Sequence, residues 1–427
     1  MKKLWGGRFK KKTHPLVEKF TSSISFDKRL AKYDVLCSMA HAKMLGKCAI
    51  IPKKDAAKIL RGLSGILKQI KNGTFAYDDK AEDIHTNIHN ALRKKIGEPA
   101  EKLHTARSRN DLVVTDLRLY SKDEIDEISA MIAKLQKALS GFAKKNKNVL
   151  IPGYTHMQKA QPVPVSMHIL AYVNMLQRDR ERLADAKKRV NILPLGSCAL
   201  AGTSLPINRK FLARELGFSA ICKNTIEAVS ERDFVIEILS AISTTAMHLS
   251  RIAEDLVLWS TQEFGFVNID DAFCTGSSIM PHKKNPDVLE LIRGNTGMFY
   301  GNLVWALTMM KSLPLSYNRD MQLDKKPLFE SADAIKAEIE ILEKLIANTS
   351  LNKQLIKRHL DDELLSATAI AEYLVKKGVP FAKAHEAVGK LIRYSLDTKK
   401  KIKDMPLERI KSFSGAFDRK IYKILGK

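Results

Sequence analysis

Cysteine is scarce in this sequence. The five present, at 37, 48, 198, 222 and 274, are odd in number and never form a CxxC pair. That pattern argues against a disulfide framework and a structural zinc site, and it fits thiols kept reduced. Long apolar runs are missing too, and no window reaches the roughly 18 apolar residues that a membrane span needs. The opening MKKLWGGRFKKKTHP has no apolar core of the kind a secretion signal carries, so a soluble cytoplasmic chain is expected. Acidic residues fall short of basic ones, 47 against 72, which leaves a formal net charge of +25. Such a balance can serve nucleic acid, lipid headgroups or acidic substrates. Here the lysines are scattered, without a zinc-finger, RNP or basic-zipper pattern. They read as solvated helix faces, and neither a nucleic-acid nor a membrane partner is expected. Sustained alternation of apolar and polar residues is also absent, which leaves little room for strand.

What the chain has is helical periodicity. Between Ile125 and Phe142, apolar residues fall at 125, 128, 132, 135, 139 and 142, the alternating step of a heptad seam. A longer seam runs through Val235, Ile238, Ile242, Thr245, Leu249, Ile252, Leu256 and Trp259, and a third through Ile335, Ile339, Leu342 and Ile346. Ser230, three residues before Asp233, reads as an N-terminal cap for the second of these. Five long helices are expected, over 113–147, 165–192, 230–263, 287–313 and 328–349. Helices this long exceed the average of about 11–12 residues. Their seams outrun one small domain, so the class is all-α, with a long-helix bundle packing against identical copies. Shorter helical runs at 29–49 and 53–71 mark an N-terminal domain over 1–108. The bundle takes 109–357, and short helices divided by KKGVPF and Pro406 fill a C-terminal domain over 358–427.

Chemistry is expected in the loops between long helices, where polar residues cluster without periodicity. EDIHTNIH at 82–89 and KLHTARSRND at 102–111 offer Arg107, Arg109 and Asn110 as carboxylate-gripping groups. Glu82, His85 and His89 lack a third firm ligand beside the histidines, so no metal site is expected. PGYTHMQKAQPVP at 152–164 reads as irregular backbone carrying Thr155, His156, Gln158 and Gln161, the histidine able to carry a proton near neutral pH. TGSSIMPHKKNPD at 275–287 sets two hydroxyls, two lysines and an asparagine among backbone breakers. LSYNRDMQLDKK at 315–326 supplies Tyr317, Asn318, Gln322 and Lys325. These loops can meet only if the bundle, or several copies of it, brings helix ends together.

TGSSIMPHKKNPD resembles the GSSxMPxKxN signature of the fumarase/aspartase superfamily, and its KKNPD is similar to that of the argininosuccinate lyases. LWGGRF at 4–9, KLHTARSRND, PGYTHMQKAQP, LPLGSCALAGT at 193–203, SERDFV at 230–235 and KKGVPFAKAHE at 376–386 fit in order, so the resemblance spans nearly the whole chain. It implies an all-α chain of three domains and a homotetramer around a twenty-helix core, with active sites shared between three subunits. The implied reaction is reversible elimination of argininosuccinate to arginine and fumarate, through an aci-carboxylate intermediate and without metal or organic cofactor. Ser277 would be the base, Lys283 would balance charge, His156 would assist proton transfer and Glu290 would orient His156. Substrate binding would fall to Ser23, Arg109, Asn110, Thr155, Asn285, Tyr317, Gln322 and Lys325. Backbone N–H groups around Gly276, together with Lys283, are expected to stabilise the serine alkoxide. His282 stands where the family usually has glutamine, and His89 where it has glutamate. The ending FDRKIYKILGK lacks the family's GGT-containing tail, so a short C-terminal domain is expected. The alternatives are another fumarate-releasing lyase of the superfamily, acting on adenylosuccinate or aspartate, or a crystallin-like structural recruit.

Overall fold

Each sustained seam becomes one long helix. In the computed structural model, which describes residues 9–426, the long helices are α1 (Arg109–Lys145), α2 (Val165–Val190), α3 (Asp233–Ser260), α4 (Asp287–Met310) and α5 (Lys325–Ala347). All five lie within a few residues of the expected spans. The seams are their buried faces: Ile125, Ile128, Ile132, Leu135 and Leu139 are at most 1% exposed. Val235 through Trp259 on α3 and Ile335 through Ile346 on α5 are buried at every seam position. Each such side chain contributes about 1.5–3 kcal/mol through burial. Of the LWGGRF motif at 4–9, all but Phe9 lies outside the described residues.

The start of α3 differs from expectation. Ser230 closes a short preceding helix, Thr225–Ser230. The free N–H of Phe234 is instead taken by Glu231 Oε1 at 3.0 Å, while Glu231 Oε2 accepts from Arg118 Nη2 at 2.5 Å. A carboxylate at a helix N-terminus also meets the positive end of the helix dipole, which a serine does not exploit.

The chain forms two compact units, and all five long helices contribute residues to both. The first comprises Met1–Ala133, Arg178–Met247 and Asn295–Ile339; the second comprises Lys134–Gln177, His248–Gly294 and Glu340–Lys427. In the first unit, helices Ala31–Lys47, Lys53–Lys71 and Ile84–Ile96 pack together over Leu45, Ile59, Leu63 and Leu92. In the second, helices Ala367–Lys376 and Phe381–Thr398 share a core with Ile402, Ile410 and Ile421.

The 152–164 segment is not irregular. Strands β1 (Leu150–Thr155) and β2 (Gln158–Pro164) pair antiparallel in an isolated ribbon. Both strands of a ribbon are edges, so the prolines that argue against strand remove no obligatory ladder bond. His156 and Met157 form its two-residue turn with φ of 52° and 59°, both left-handed as a primed hairpin turn requires. The register shifts between Pro152 and Tyr154. At this bulge a Cβ on Gly153 would lie 2.9 Å from the Gln161 carbonyl oxygen, so only glycine fits there. A smaller hairpin pairs β3 (Thr275–Gly276) with β4 (Lys284–Asn285). Among the described residues, no helix is long and apolar enough to cross a membrane.

Candidate active site

Six of the twelve expected site residues lie in the first unit, and hydrogen bonds and ion pairs link three of them, Ser23, Arg109 and Gln322, through a shared network. Ser23 is buried; its hydroxyl donates to Asp27 Oδ2 at 2.5 Å and its N–H donates to the Glu82 carbonyl at 2.9 Å. Asp27 Oδ1 accepts from Ile84 N at 3.2 Å. Asp83 caps the Ile84–Ile96 helix by accepting from Thr86 N at 2.8 Å, which leaves its other oxygen for Arg109. Arg109 Nη1 lies 2.9 Å from the carboxylates of both Glu82 and Asp83, and Nη2 donates to Thr86 Oγ1 at 3.3 Å. Arg319 Nη2 reaches Glu82 at 3.2 Å and the Thr21 carbonyl at 2.6 Å; Gln322 donates to that same carbonyl at 3.3 Å. Segments 21–27, 82–86 and 317–325 therefore converge on the start of α1.

Electrostatics in this cluster run against burial. Burial would lift the Asp83 carboxyl, but the charges of His85 and Arg109 hold it below its ordinary value. Burial raises the Tyr317 phenol, with Asp324 adding to the effect. Lys325 is buried with its ammonium 2.7 Å from Asp324 Oδ1. Asn110 donates to the Ala199 carbonyl at 3.2 Å. The next residue, Asp111, accepts from Gly196 N at 2.9 Å and Cys198 N at 2.8 Å, so the start of α1 fastens the 193–203 loop. Burial pushes Asp111 up to about 6 despite these N–H groups.

The histidines of 82–89 are occupied in other ways than by one another. His89 Nδ1 lies 3.1 Å from His104 Nε2, so the residue standing in place of a glutamate pairs with a second imidazole. Among the described residues, one trio could bring metal-ligating atoms within 4.8 Å of one another: buried Asp34, His85 and Asp116. His85 Nδ1 is hydrogen-bonded to Asp34. Burial would lower the imidazole, but the charge of Asp34 and that hydrogen bond lift it to about 9. At neutral pH the imidazole is therefore charged and ion-paired with Asp34.

The other six expected residues lie in the second unit. β3 and β4 bracket the loop from Ser277 to Lys283. Ser277 Oγ accepts N–H groups from Ile279 at 3.3 Å and Met280 at 3.0 Å, donors that follow the serine where Gly276 was expected to contribute. The Lys283 ammonium donates to Asn285 Oδ1, and Asn285 Nδ2 donates to the Gly276 carbonyl at 3.5 Å. Lys284 is the anchoring member of the lysine doublet, bonded to Asp271 at 2.5 Å and to the Ile269 carbonyl. A cleft of about 510 Å³ opens beside the loop, lined among others by Ser260, Thr261, Lys283, Asn285 and Glu290. Glu290 is exposed, 4.0 Å from Arg293. Thr155 and His156 stand exposed at the β1–β2 tip. Among the described residues, no hydrogen bond or ion pair within the chain links their side chains to the 275–290 segment. His282 is exposed, and nothing in the structure explains it.

Several residues of the site escaped the sequence reading. Asp83 and Asp324 organise the cations yet carry no binding signal of their own, because an acid in a polar loop reads as solvated; Glu82, weighed above only as a metal ligand, pairs with Arg109 and Arg319 instead. Arg319 lies within LSYNRDMQLDKK, where a lone arginine between Tyr317 and Gln322 reads as a solvated cation.

Comparison with known proteins bears on these motifs directly. A family model described as "Lyase" matches residues 7–301, and one described as "Argininosuccinate lyase C-terminal" matches 364–426. The argininosuccinate lyase of Alkaliphilus metalliredigens is 50% identical over 423 residues, covering 99% of this chain and 92% of the relative. That of Geotalea daltonii is 51% identical with the same coverage. Among solved structures, EDDS lyase in complex with formate aligns with a TM-score of 0.84 and 26% identity, over 96% of this chain and 82% of that one. A class II fumarase from Schistosoma mansoni shares the fold at a TM-score of 0.82 and 17% identity, over 97% and 92% of the two chains.

Proposed function

The chain belongs to the argininosuccinate lyase family, and we propose that it catalyses the reversible elimination of argininosuccinate to L-arginine and fumarate, the last step of arginine biosynthesis. The observation that carries the mechanism is the pair of backbone N–H groups on Ser277 Oγ. An alcohol is a feeble base unless its alkoxide is stabilised, and fixed N–H dipoles do that without reorganisation during the reaction. Ser277 then takes the proton from the carbon next to a succinyl carboxylate. The negative charge spreads into that carboxylate as an aci-carboxylate, and Lys283, six residues on, balances it while Asn285 holds the ammonium in place. Departure of the guanidinium completes fumarate, with His156 serving proton transfer and Glu290 orienting His156.

Substrate recognition matches the first unit's chemistry. Argininosuccinate offers three carboxylates, an amino group and a guanidinium. Arg109, Asn110, Lys325 and Gln322 supply cations and amide donors, and Ser23 and Tyr317 supply hydroxyls. Thr155 and Asn285 complete the set from the hairpins. Proline and glycine keep the 275–287 loop out of α4, so it can close over bound substrate as a lid.

His156 and Lys283 are exposed within one chain, so a dry site needs further walls. We assign these to other copies, in a homotetramer whose active sites each draw on three subunits. One face of α4 supports self-association. Gly294, Gly297 and Gly301 there have nothing within 4 Å of an added Cβ, and Leu291 and Val304 beside them are 65% and 58% exposed. Three helical glycines cost roughly 0.5–1 kcal/mol each relative to alanine, a cost that close approach of a neighbouring helix offsets.

Ultraviolet absorbance of released fumarate tests the reading. Argininosuccinate should be turned over; activity confined to adenylosuccinate or aspartate would refute it. Inactive His156→Ala and Ser277→Ala proteins, unfolded and refolded together, should regain part of the activity through mixed assemblies. No recovery despite demonstrated mixing would mean that one subunit supplies both groups.

A further inference from the structure

SERDFV at 230–235 has no role in the reaction as described, yet it supplies Arg232, the largest of the fully buried side chains. Arg232 Nε donates to Asp324 Oδ2 at 2.5 Å, and Nη1 donates to the carbonyls of Val229 at 3.4 Å and Glu231 at 2.8 Å. Nη2 is buried without an acceptor. The second oxygen of Asp324 accepts from Lys325 Nζ at 2.7 Å. Arg232 and Asp324 are 0% exposed and Lys325 is 2% exposed.

Two full positive charges thus share one carboxylate away from water. Of the nearby acids, Glu231 pairs with Arg118 at 2.5 Å and Asp83 with Arg109 at 2.9 Å, while Asp27 feels the Lys325 charge but is hydrogen-bonded to Ser23 and to the Ile84 N–H, and makes no direct contact with either cation. The Arg232–Asp324–Lys325 trio taken by itself is one negative charge short, and with its orphaned guanidinium N–H it is costly in isolation. An anion arriving at Lys325 removes that cost. Without Arg232, Asp324 and Lys325 would simply cancel, and an arriving carboxylate would meet a neutral pair.

We infer that Arg232 is a positioning residue for substrate binding: through the shared Asp324 it fixes the Lys325 ammonium and leaves the cluster a net positive charge that a substrate carboxylate completes. The inference rests on the proposed reading, in which Lys325 binds argininosuccinate. Its rival is a structural one, in which Arg232 only ties the start of α3 to the 319–325 segment.

A double-mutant cycle separates the two. Steady-state fumarate release from argininosuccinate is measured for the unmodified protein, Arg232→Met, Lys325→Met and the double variant. Arg232→Met should raise KM by about 10- to 100-fold, the scale of a lost charge-assisted hydrogen bond, with kcat changed far less. In the Lys325→Met background it should add nothing further. Arg232→Lys, which keeps the charge, should recover most of the KM rise. Multiplying KM effects, or an unchanged KM with a lowered Tm, overturn the inference while turnover of argininosuccinate still stands. Arg232→Gln, which also removes the charge, gives the same cycle if Arg232→Met fails to fold, and loss of fold in both variants assigns the cluster a structural role. An unmodified protein inert toward argininosuccinate overturns the underlying reading, and this inference with it.

Discussion

The two groups of site residues are built on opposite principles. In the first unit Ser23, Arg109 and Lys325 are wholly or largely buried and ion-paired or hydrogen-bonded, held by acids on three segments. In the second, His156 and Lys283 stand exposed on hairpin tips, and Ser277 is fixed only by its own loop. In the function proposed above, the contrast separates two tasks. Recognition of a polyanionic substrate needs cations fixed in advance, because ordering them at the moment of binding would cost affinity. The proton-transfer groups must admit substrate, close on it and release products, so their elements have little cohesion of their own.

The sharpest test of this contrast is Lys283→Ala. Turnover should fall by about 10²–10³, the loss seen when one oxyanion-stabilising donor is removed, while Tm stays within a degree or two because the side chain is exposed. Near-normal turnover would remove its charge-balancing role. A companion change in the other region should behave differently. Arg109→Met leaves Asp83, which is 7% exposed, without its ion-pair partner. Denaturant unfolding should show a loss of about 1–3 kcal/mol, the scale for leaving a mostly buried charged group without its hydrogen-bond partner, together with a raised KM. Equal stability of the two variants would show that the first unit is no more fixed than the loops.

The buried unit should also respond to pH in a way the loops cannot. Burial, reinforced by the charge of Arg107, holds His41 and His104 down at about 3. Unfolded imidazoles titrate near 6.5. Below that pH the unfolded chain takes up protons that the folded chain refuses, so stability falls as pH drops from 6.5 toward 3. The slope is at most about 1.4 kcal/mol per pH unit for each histidine. His85, lifted to about 9, has the opposite sign: its contribution is complete below 6.5 and is lost as pH rises through 9. Chemical denaturation from pH 4 to 10 should therefore reveal a dome of stability. Flat stability on the acid side in a His41→Gln, His104→Gln double variant, against a slope in the parent, would confirm the assignment. The smallest effect belongs to the hairpin tip. Met157→Gly relieves a left-handed residue and should stabilise by about 0.5–1 kcal/mol, read as a small rise in Tm.

How much of this was legible in the sequence follows from the range of the forces involved. The helices were, because a three–four spacing of Ile, Leu and Val is a local record of one buried face, and Ile128, Leu135, Ile242 and Leu342 all proved to be core. The 150–164 ribbon was not, because Pro152, Pro162 and Pro164 look like strand breakers unless the ribbon is known to have no further neighbours. The cap on α3 was assigned to Ser230 because hydroxyl caps are the common case; Glu231 took the place because Arg118, 113 residues away, holds its carboxylate. The cations of the site could be picked out from their loops. Their acidic partners could not, since pairing across 237 residues, as between Arg319 and Glu82, leaves no spacing to read.

Gly153 carries a consequence for how this protein can change over time. The register shift there sets two residues of β2, Ala160 and Gln161, against the single Gly153 of β1, and the pleat that resumes beyond it decides which face of the ribbon Thr155 and His156 present. Adding or deleting one residue between Gly153 and the tip would turn both side chains to the opposite face, while a change of two would restore them. The hairpin can thus drift freely in composition outside Gly153, but its length is quantised: a lineage can alter it only in even steps without losing the aim of its histidine.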